Sequence, residues 1–161
     1  MKILAIDPSS NKIETSTTGI VLFNNARLVE SWVASYGMRG FADWFHEFGE
    51  SLEFDVIVVE EYKARDNDKS KDNSVLETIA YIQLCYPNLI LQNNAGYKSD
   101  IPDDLLKILS LWEFEKSHHQ DIRAAARLGL FWAMRNDIEE VIQEIGKVVS
   151  EYHNNAKKVA S

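Results

Sequence analysis

The sequence predicts a single α/β domain on a mixed five-stranded sheet, three antiparallel strands followed by two parallel ones, flanked by helices. Three observations carry that reading. Lys2-Ile3-Leu4-Ala5-Ile6 and Val56-Ile57-Val58-Val59 are continuous apolar runs, the pattern of strands buried on both faces. Between them, Gly19-Ile20-Val21-Leu22-Phe23 and residues 27–34 flank Asn24-Asn25, a hairpin turn signal. Beyond residue 100 the apolar residues recur at helical rather than strand spacing. A chain of 161 residues, 45% hydrophobic, can build one well-cored domain with little room for a second, so 1–161 is read as one unit.

Residues 2–7 form the central strand, broken by Pro8-Ser9-Ser10-Asn11 and a polar loop to Thr18. Residues 19–23 and 27–34 complete an antiparallel meander. Phe41, Trp44, Phe45, Phe48 and Leu52 then mark an amphipathic helix over 40–52, laid on the sheet. Residues 55–60 return as a strand, and strand–helix–strand order makes a parallel pairing with the first strand the default. Residues 61–72 carry no apolar periodicity and read as a long loop. Val75, Leu76, Ile79, Ile82 and Tyr86 define a helix stopped by Pro87, and Leu89-Ile90-Leu91 a fifth strand. A loop over 92–101 leads to a helix from Pro102 with Leu105, Leu106, Leu109 and Trp112. A helix over 118–134 follows, then a last one over about 136–152 on Ile138, Val141, Ile142, Ile145 and Val149, with a frayed tail from Asn154-Asn155.

The lone Cys85 can form no intramolecular disulfide, which fits a reducing compartment, and no segment approaches the roughly 20 apolar residues of a membrane span. The expectation is a cytoplasmic protein. A net charge of −8 argues against indiscriminate polyanion binding, yet the basic residues are uneven. Lys63, Arg65, Lys69 and Lys71 crowd together just after Glu60, Lys98 follows the fifth strand, and Arg123 and Arg127 share a helix with Asp121. The 63–71 cluster reads either as solvated surface or as a DNA contact, and its position beside Glu60 favours the latter. Tyr62 is either a base-stacking side chain or a strand-end aromatic.

Four metal-capable side chains stand at element ends. Asp7 ends the first strand, Glu60 ends the fourth, and His118 and Asp121 open the helix three residues apart, on one face. A carboxylate at the end of a buried strand is costly unless paired, hydrogen-bonded or bound to a cation. Strand alternation sends Glu60 and Glu61 to opposite faces, so only one can be a ligand. Two divalent ions about 3.5–4 Å apart can activate a water and stabilise a leaving oxygen in phosphodiester cleavage. Asp7, on the central strand, is the best candidate to bridge both ions, with Glu60 on one and Asp121 and His118 on the other. Magnesium prefers oxygen ligands, so the imidazole tilts the set towards manganese. The plainer alternatives are a turn role for Asp7 and helix-start roles for Asp121 and His118.

Ile6-Asp7-Pro8-Ser9-Ser10, Thr18-Gly19-Ile20-Val21, Val58-Val59-Glu60-Glu61 and His118-x-x-Asp121-Ile122-x-Ala124-Ala125 occur in this order. Together they resemble the RuvC family of Holliday junction resolvases in the RNase H-like superfamily, especially the small RuvC-like endonucleases of bacteriophages. The resemblance spans about 2–134 and leaves the last helix outside. It implies an RNase H-like fold and a homodimeric nuclease using Mg2+ or Mn2+, with one active site per subunit placed on a four-way junction. It also implies that Asp7, Glu60, Asp121 and His118 fill the family's acidic positions, the last being Asp in some members and His in others. In this sequence Ser9 stands where Gly is frequent, and the loop before Gly19 is about five residues longer than the family's turn. Tyr62, Lys63, Arg65, Lys69, Lys71 and Lys98 are the candidate DNA contacts. The competing readings are an RNase H-like ribonuclease acting on hybrid or structured RNA, and a non-catalytic branched-DNA-binding protein. An actin-like nucleotide-binding fold needs a second lobe that the chain has no length for.

Overall fold

In the computed structural model, residues 1–64 and 72–160 are described. Five strands, β1 (Lys2–Asp7), β2 (Thr17–Asn24), β3 (Arg27–Ser35), β4 (Val56–Glu60) and β5 (Ile90–Gln92), form one sheet in the order β3-β2-β1-β4-β5. β1–β2 and β2–β3 are antiparallel, while β1–β4 and β4–β5 are parallel, which is the mixed arrangement expected from the sequence. The apolar runs of β1 and β4 are adjacent central strands because both their faces are covered.

Alternation along the strands divides the core in two. Ile3, Ala5, Val21, Phe23 and Val58 point to one face, and Leu4, Ile6, Ile20, Leu22, Ile57 and Val59 to the other. The second face is covered by α1 (Gly37–Glu47), a short 3-10 turn at Gly49–Ser51, and α2 (Val75–Cys85). The first carries α5 (His119–Arg135), whose Ile122, Ala125, Ala126 and Leu128 are fully buried there. Small residues bring this helix down: a Cβ on Gly129 would lie 2.9 Å from the Ala5 Cβ. Between β5 and α5 lie α3 (Tyr97–Asp100) and α4 (Asp103–Ile108), and the chain continues into α6 (Glu139–Ala160).

Four expectations need correction. The first helix starts at Gly37 rather than residue 40 and breaks at Phe48, whose non-helical backbone passes the chain into the 3-10 turn. The segment read as loop over 92–101 contains α3, a single turn too short to show periodicity. The helix expected to run to Trp112 ends at Ile108, because Ser110 adopts left-handed geometry (φ 60°). The last helix begins at Glu139 and runs through Asn154-Asn155 to Ala160, so there is no frayed tail at that point. Its first half is tethered by Glu144, which accepts from the Ala26 amide at 2.8 Å and pairs with Arg27 at 2.6 Å, whereas residues 151–160 are exposed.

Candidate active site

The two central strands deliver two carboxylates to the same end of the sheet. Ile6 pairs in parallel register with Val59, so Asp7 and Glu60 are next along neighbouring strands. Both share the parity of Ala5 and Val58, and therefore turn to the face that α5 covers. Glu61 has the opposite parity, and its backbone amide is used by Gln92 O at 2.9 Å. Of the two adjacent glutamates it is Glu60 that meets Asp7.

α5 brings the third carboxylate. Gly19, directly opposite Asp7 in the β1–β2 ladder, has no side chain, and a Cβ there would overlap the Asp121 carbonyl. The first turn of α5 therefore rests on the backbone of β2. Asp121 accepts a hydrogen bond from the Thr17 hydroxyl, and Glu60 accepts one from the Asn94 side-chain amide.

The electrostatics follow from this crowding. Asp7 keeps some accessible surface, but its carboxyl lies deep among neighbouring atoms. Burial above all, then a hydrogen bond with Glu60 and the charges of Glu60 and Asp121, push that carboxyl well above the usual carboxylate range. The closeness of Asp7 to Glu60 and Asp121 makes a negative charge on Asp7 costly, and a proton on Asp7 would relieve it. A divalent cation relieves the same repulsion without the proton, and an oxygen-rich donor set of this kind suits Mg2+ or Mn2+. In that sense the residues fit the metal the sequence suggests. Among the described residues, however, no three His, Cys, Asp or Glu side chains form a ready-made cation cage. Thr17 and Asn94 hold Asp121 and Glu60 in hydrogen bonds, and a cation would have to draw both carboxylates inward.

His118 is placed one turn ahead of Asp121, whose amide donates to the His118 carbonyl at 3.2 Å. It is the N-cap of α5, in left-handed geometry (φ 60°, ψ 46°), with an exposed side chain that caps no amide. Glu60 and Asp121 thus lie close enough to act on Asp7, whereas no contact ties the exposed imidazole of His118 to the three carboxylates among the described residues.

The candidate DNA contacts divide. Arg65, Lys69 and Lys71 lie outside the described residues. Lys63 is exposed beyond the end of β4. The Tyr62 ring packs against the core cluster under α2, and its hydroxyl meets Asp72 O at 3.2 Å and Asn73 Oδ1 at 3.1 Å, so it ties down the far end of the 61–72 segment. Lys98 lies on α3, on the wall of a cleft of about 310 Å3.

Sequence reasoning missed Thr17, Asn94 and Gly19 as parts of the site. The signal for Gly19 was available, since a glycine inside an apolar strand marks a close backbone approach. The long loop after Asp7 is fastened to the start of α2: Ser10 donates to Asp72, the Asn11 amide to Ser74 Oγ at 2.8 Å, and the Asn11 side chain to Glu77 at 2.8 Å.

No protein-family model matches the sequence, and no curated protein matches it. Among solved structures, the chain is similar to RuvC of T. thermophilus in complex with a Holliday junction substrate, with a TM-score of 0.54 and 16% sequence identity. The match covers 84% of this chain and 96% of that one. The fold is RuvC-like, of the RNase H-like class. Among the described residues, no helix is long and apolar enough to cross a membrane.

Proposed function

We propose that this protein is a metal-dependent, structure-selective DNA endonuclease that resolves four-way junctions. The observation that carries the reading is the convergence of Asp7, Glu60 and Asp121 on the RuvC-like fold, with the Asp7 carboxyl pushed upward by burial first and then by its acidic neighbours. Asp7, Glu60 and Asp121 would hold Mg2+ or Mn2+, with His118 joining them. Bound there, divalent ions supply activated water and stabilisation of the leaving oxygen. The protein's own contribution is positional. Gly19 sets the depth of α5, while Thr17 and Asn94 aim the outer two carboxylates until a cation competes for them.

Exposed Lys63 would meet phosphates flanking the cut, and Arg65, Lys69 and Lys71 are proposed from the sequence to do the same. A four-way junction presents two strands for cleavage, and a homodimer would present two sites to them. The protein would act in the cytoplasm, that of a bacterial host if a phage encodes it. The test is incubation of the purified protein with labelled four-way junction, fork, flap, linear duplex and RNA–DNA hybrid, in magnesium, in manganese and in EDTA. Paired, symmetric cuts in the junction with either metal, and none in EDTA, are expected. Preferential cleavage of the hybrid would turn the reading to a ribonuclease. Junction binding with no cleavage in either metal would leave a DNA-binding protein.

A further inference from the structure

One face of α5 is not used by the sheet. Gln120, Arg123, Ala124 and Arg127 recur at helical spacing and, with Tyr97, Lys98, Asp103 and Trp112, line the 310 Å3 cleft between α3, α4 and α5. The cleft carries three cations against one carboxylate.

Both arginines are held in ways that leave capacity for an anion. The Arg123 guanidinium stacks on Trp112 at 3.7 Å from the ring centre and donates through Nε to the Trp112 carbonyl. That contact fixes the plane of the fork and leaves its terminal nitrogens free to donate elsewhere. Arg127 is only 6% exposed, and one terminal nitrogen is taken by Asp103, whose own side chain is 59% exposed. Its buried Nε has no hydrogen-bond partner. An unpartnered donor on a buried guanidinium is costly, and because this nitrogen is itself out of solvent's reach, an anion in the cleft would offset that cost through its charge rather than through a bond to Nε. Among the described residues, Lys98 and Arg123 take part in no ion pair.

The cleft also adjoins the carboxylates. Gln120 and Asp121 are consecutive on α5, and Tyr97 lies between the two groups. Burial first, then the charges of Glu60 and Asp7, push the Tyr97 phenol upward, while Arg127 acts on it in the opposite sense. The cleft and the acidic site thus share the first turns of α5.

We propose that this cleft is a phosphate subsite in which Arg123, Arg127 and Lys98 take a backbone phosphodiester of the DNA strand that runs over Asp7, Glu60 and Asp121. The subsite rests on the nuclease reading for its strand, though not for its anion chemistry. Two planar guanidiniums suit a phosphate, which they can meet through paired N–H donors. Asp103 holds Arg127 in place until phosphate arrives and competes with it afterwards. Phosphate contacts of this kind fix the register of a strand rather than read its sequence.

The test is binding of fluorescently labelled four-way junction in EDTA, where no hydrolysis is read, over a salt series. Variants are Lys98→Gln with Arg123→Gln, Asp103→Asn, and Lys157→Gln near the exposed end of α6 as control. The double variant should weaken binding about tenfold or more and lower the slope of log K against log salt by roughly 1–2, since each phosphate contact contributes about 0.9. Asp103→Asn should tighten binding severalfold, and Lys157→Gln should change neither quantity. A double variant with the wild-type slope, or an Asp103→Asn variant that binds no better than wild type, overturns the subsite. Junction cleavage by wild type with an unchanged slope in the double variant removes the subsite alone. A reduced slope in a protein that cleaves nothing removes the nuclease reading and leaves the subsite standing.

Discussion

Gly19 and Asp121 touch through their backbones: the α5 carbonyl of Asp121 occupies the space where any side chain on Gly19 would begin. The depth of the acidic site is therefore set by an absent methyl group. Gly19→Ala should lift the first turn of α5 away from β1, separating Asp121 from Asp7. Overpacking of this kind costs about 1–3 kcal/mol. The expected result is a folded protein with a lowered melting temperature and cleavage reduced by far more than that destabilisation explains. Full activity in a folded Gly19→Ala variant would show that Asp121 is not needed at this depth.

Asp7→Asn should abolish cleavage and leave junction binding intact or stronger, because it removes a ligand and also a negative charge facing phosphate. Residual cleavage above a few percent of wild type would remove Asp7 from the metal set. Glu60→Gln should behave like Asp7→Asn and Glu61→Gln like wild type, since Glu61 points to the other face of β4.

The raised Asp7 carboxyl gives a pH signature in the absence of metal. A carboxyl whose pKa is higher folded than unfolded binds its proton more tightly in the native state. Its contribution is therefore most favourable below the unfolded carboxylate pKa and is lost as pH rises through the folded value. Asn at the same position does not titrate. In EDTA, the Asp7→Asn variant should gain melting temperature over wild type as pH rises from about 4 to about 8. Manganese should reverse the order at neutral pH by stabilising only the wild type. A pH-independent difference in EDTA would mean that the Asp7 carboxyl is not perturbed.

Most of this architecture was legible because burial writes itself into sequence. The apolar runs ending in Asp7 and Glu60 read as central strands, and their parity put Glu60 and Glu61 on opposite faces, with the choice of Glu60 resting on the resemblance. What escaped were features made by tertiary proximity or by chain length. Thr17 and Asn94 are ordinary polar residues until the fold sets them beside Asp121 and Glu60. The second half of α6 escaped because Asn154 and Asn155 have weak helix propensity and nothing apolar larger than alanine follows them but Val159, which is 89% exposed. The cleft under Arg127 escaped because its lining comes from three helices, one of them a single turn, and from Trp112 in the loop between α4 and α5.

Dimerisation is expected to use α2. Thr78 is buried beside the start of α1, and Ile79 and Ile82 are buried in the core on that face of the sheet, whereas Leu76, Ala80 and Leu84 form an exposed stripe, with Leu84 79% accessible. Sedimentation should give a dimer at micromolar concentration, and Leu84→Glu should convert it to a folded monomer that nicks junctions without paired cuts. A wild-type monomer both with and without DNA would exclude this interface.

His118 is where backbone and chemistry can be separated. Its left-handed conformation is one that glycine and aspartate tolerate and alanine does not favour. If its only role is to start α5, His118→Gly should match or exceed wild type in both stability and cleavage. If the imidazole is a ligand, His118→Gly should keep or gain stability yet lose most activity, chiefly that supported by manganese. His118→Asp should then stay active with preference shifted towards magnesium, because it restores an all-oxygen set. His118→Ala should lose both stability and cleavage, which is why it cannot decide the question alone. Melting curves beside initial rates in the two metals check the set, and the ligand assignment predicts that His118→Gly divides the two readouts. A His118→Gly variant as active as wild type in manganese would leave a site of three carboxylates, with His118 serving only to turn the chain into α5.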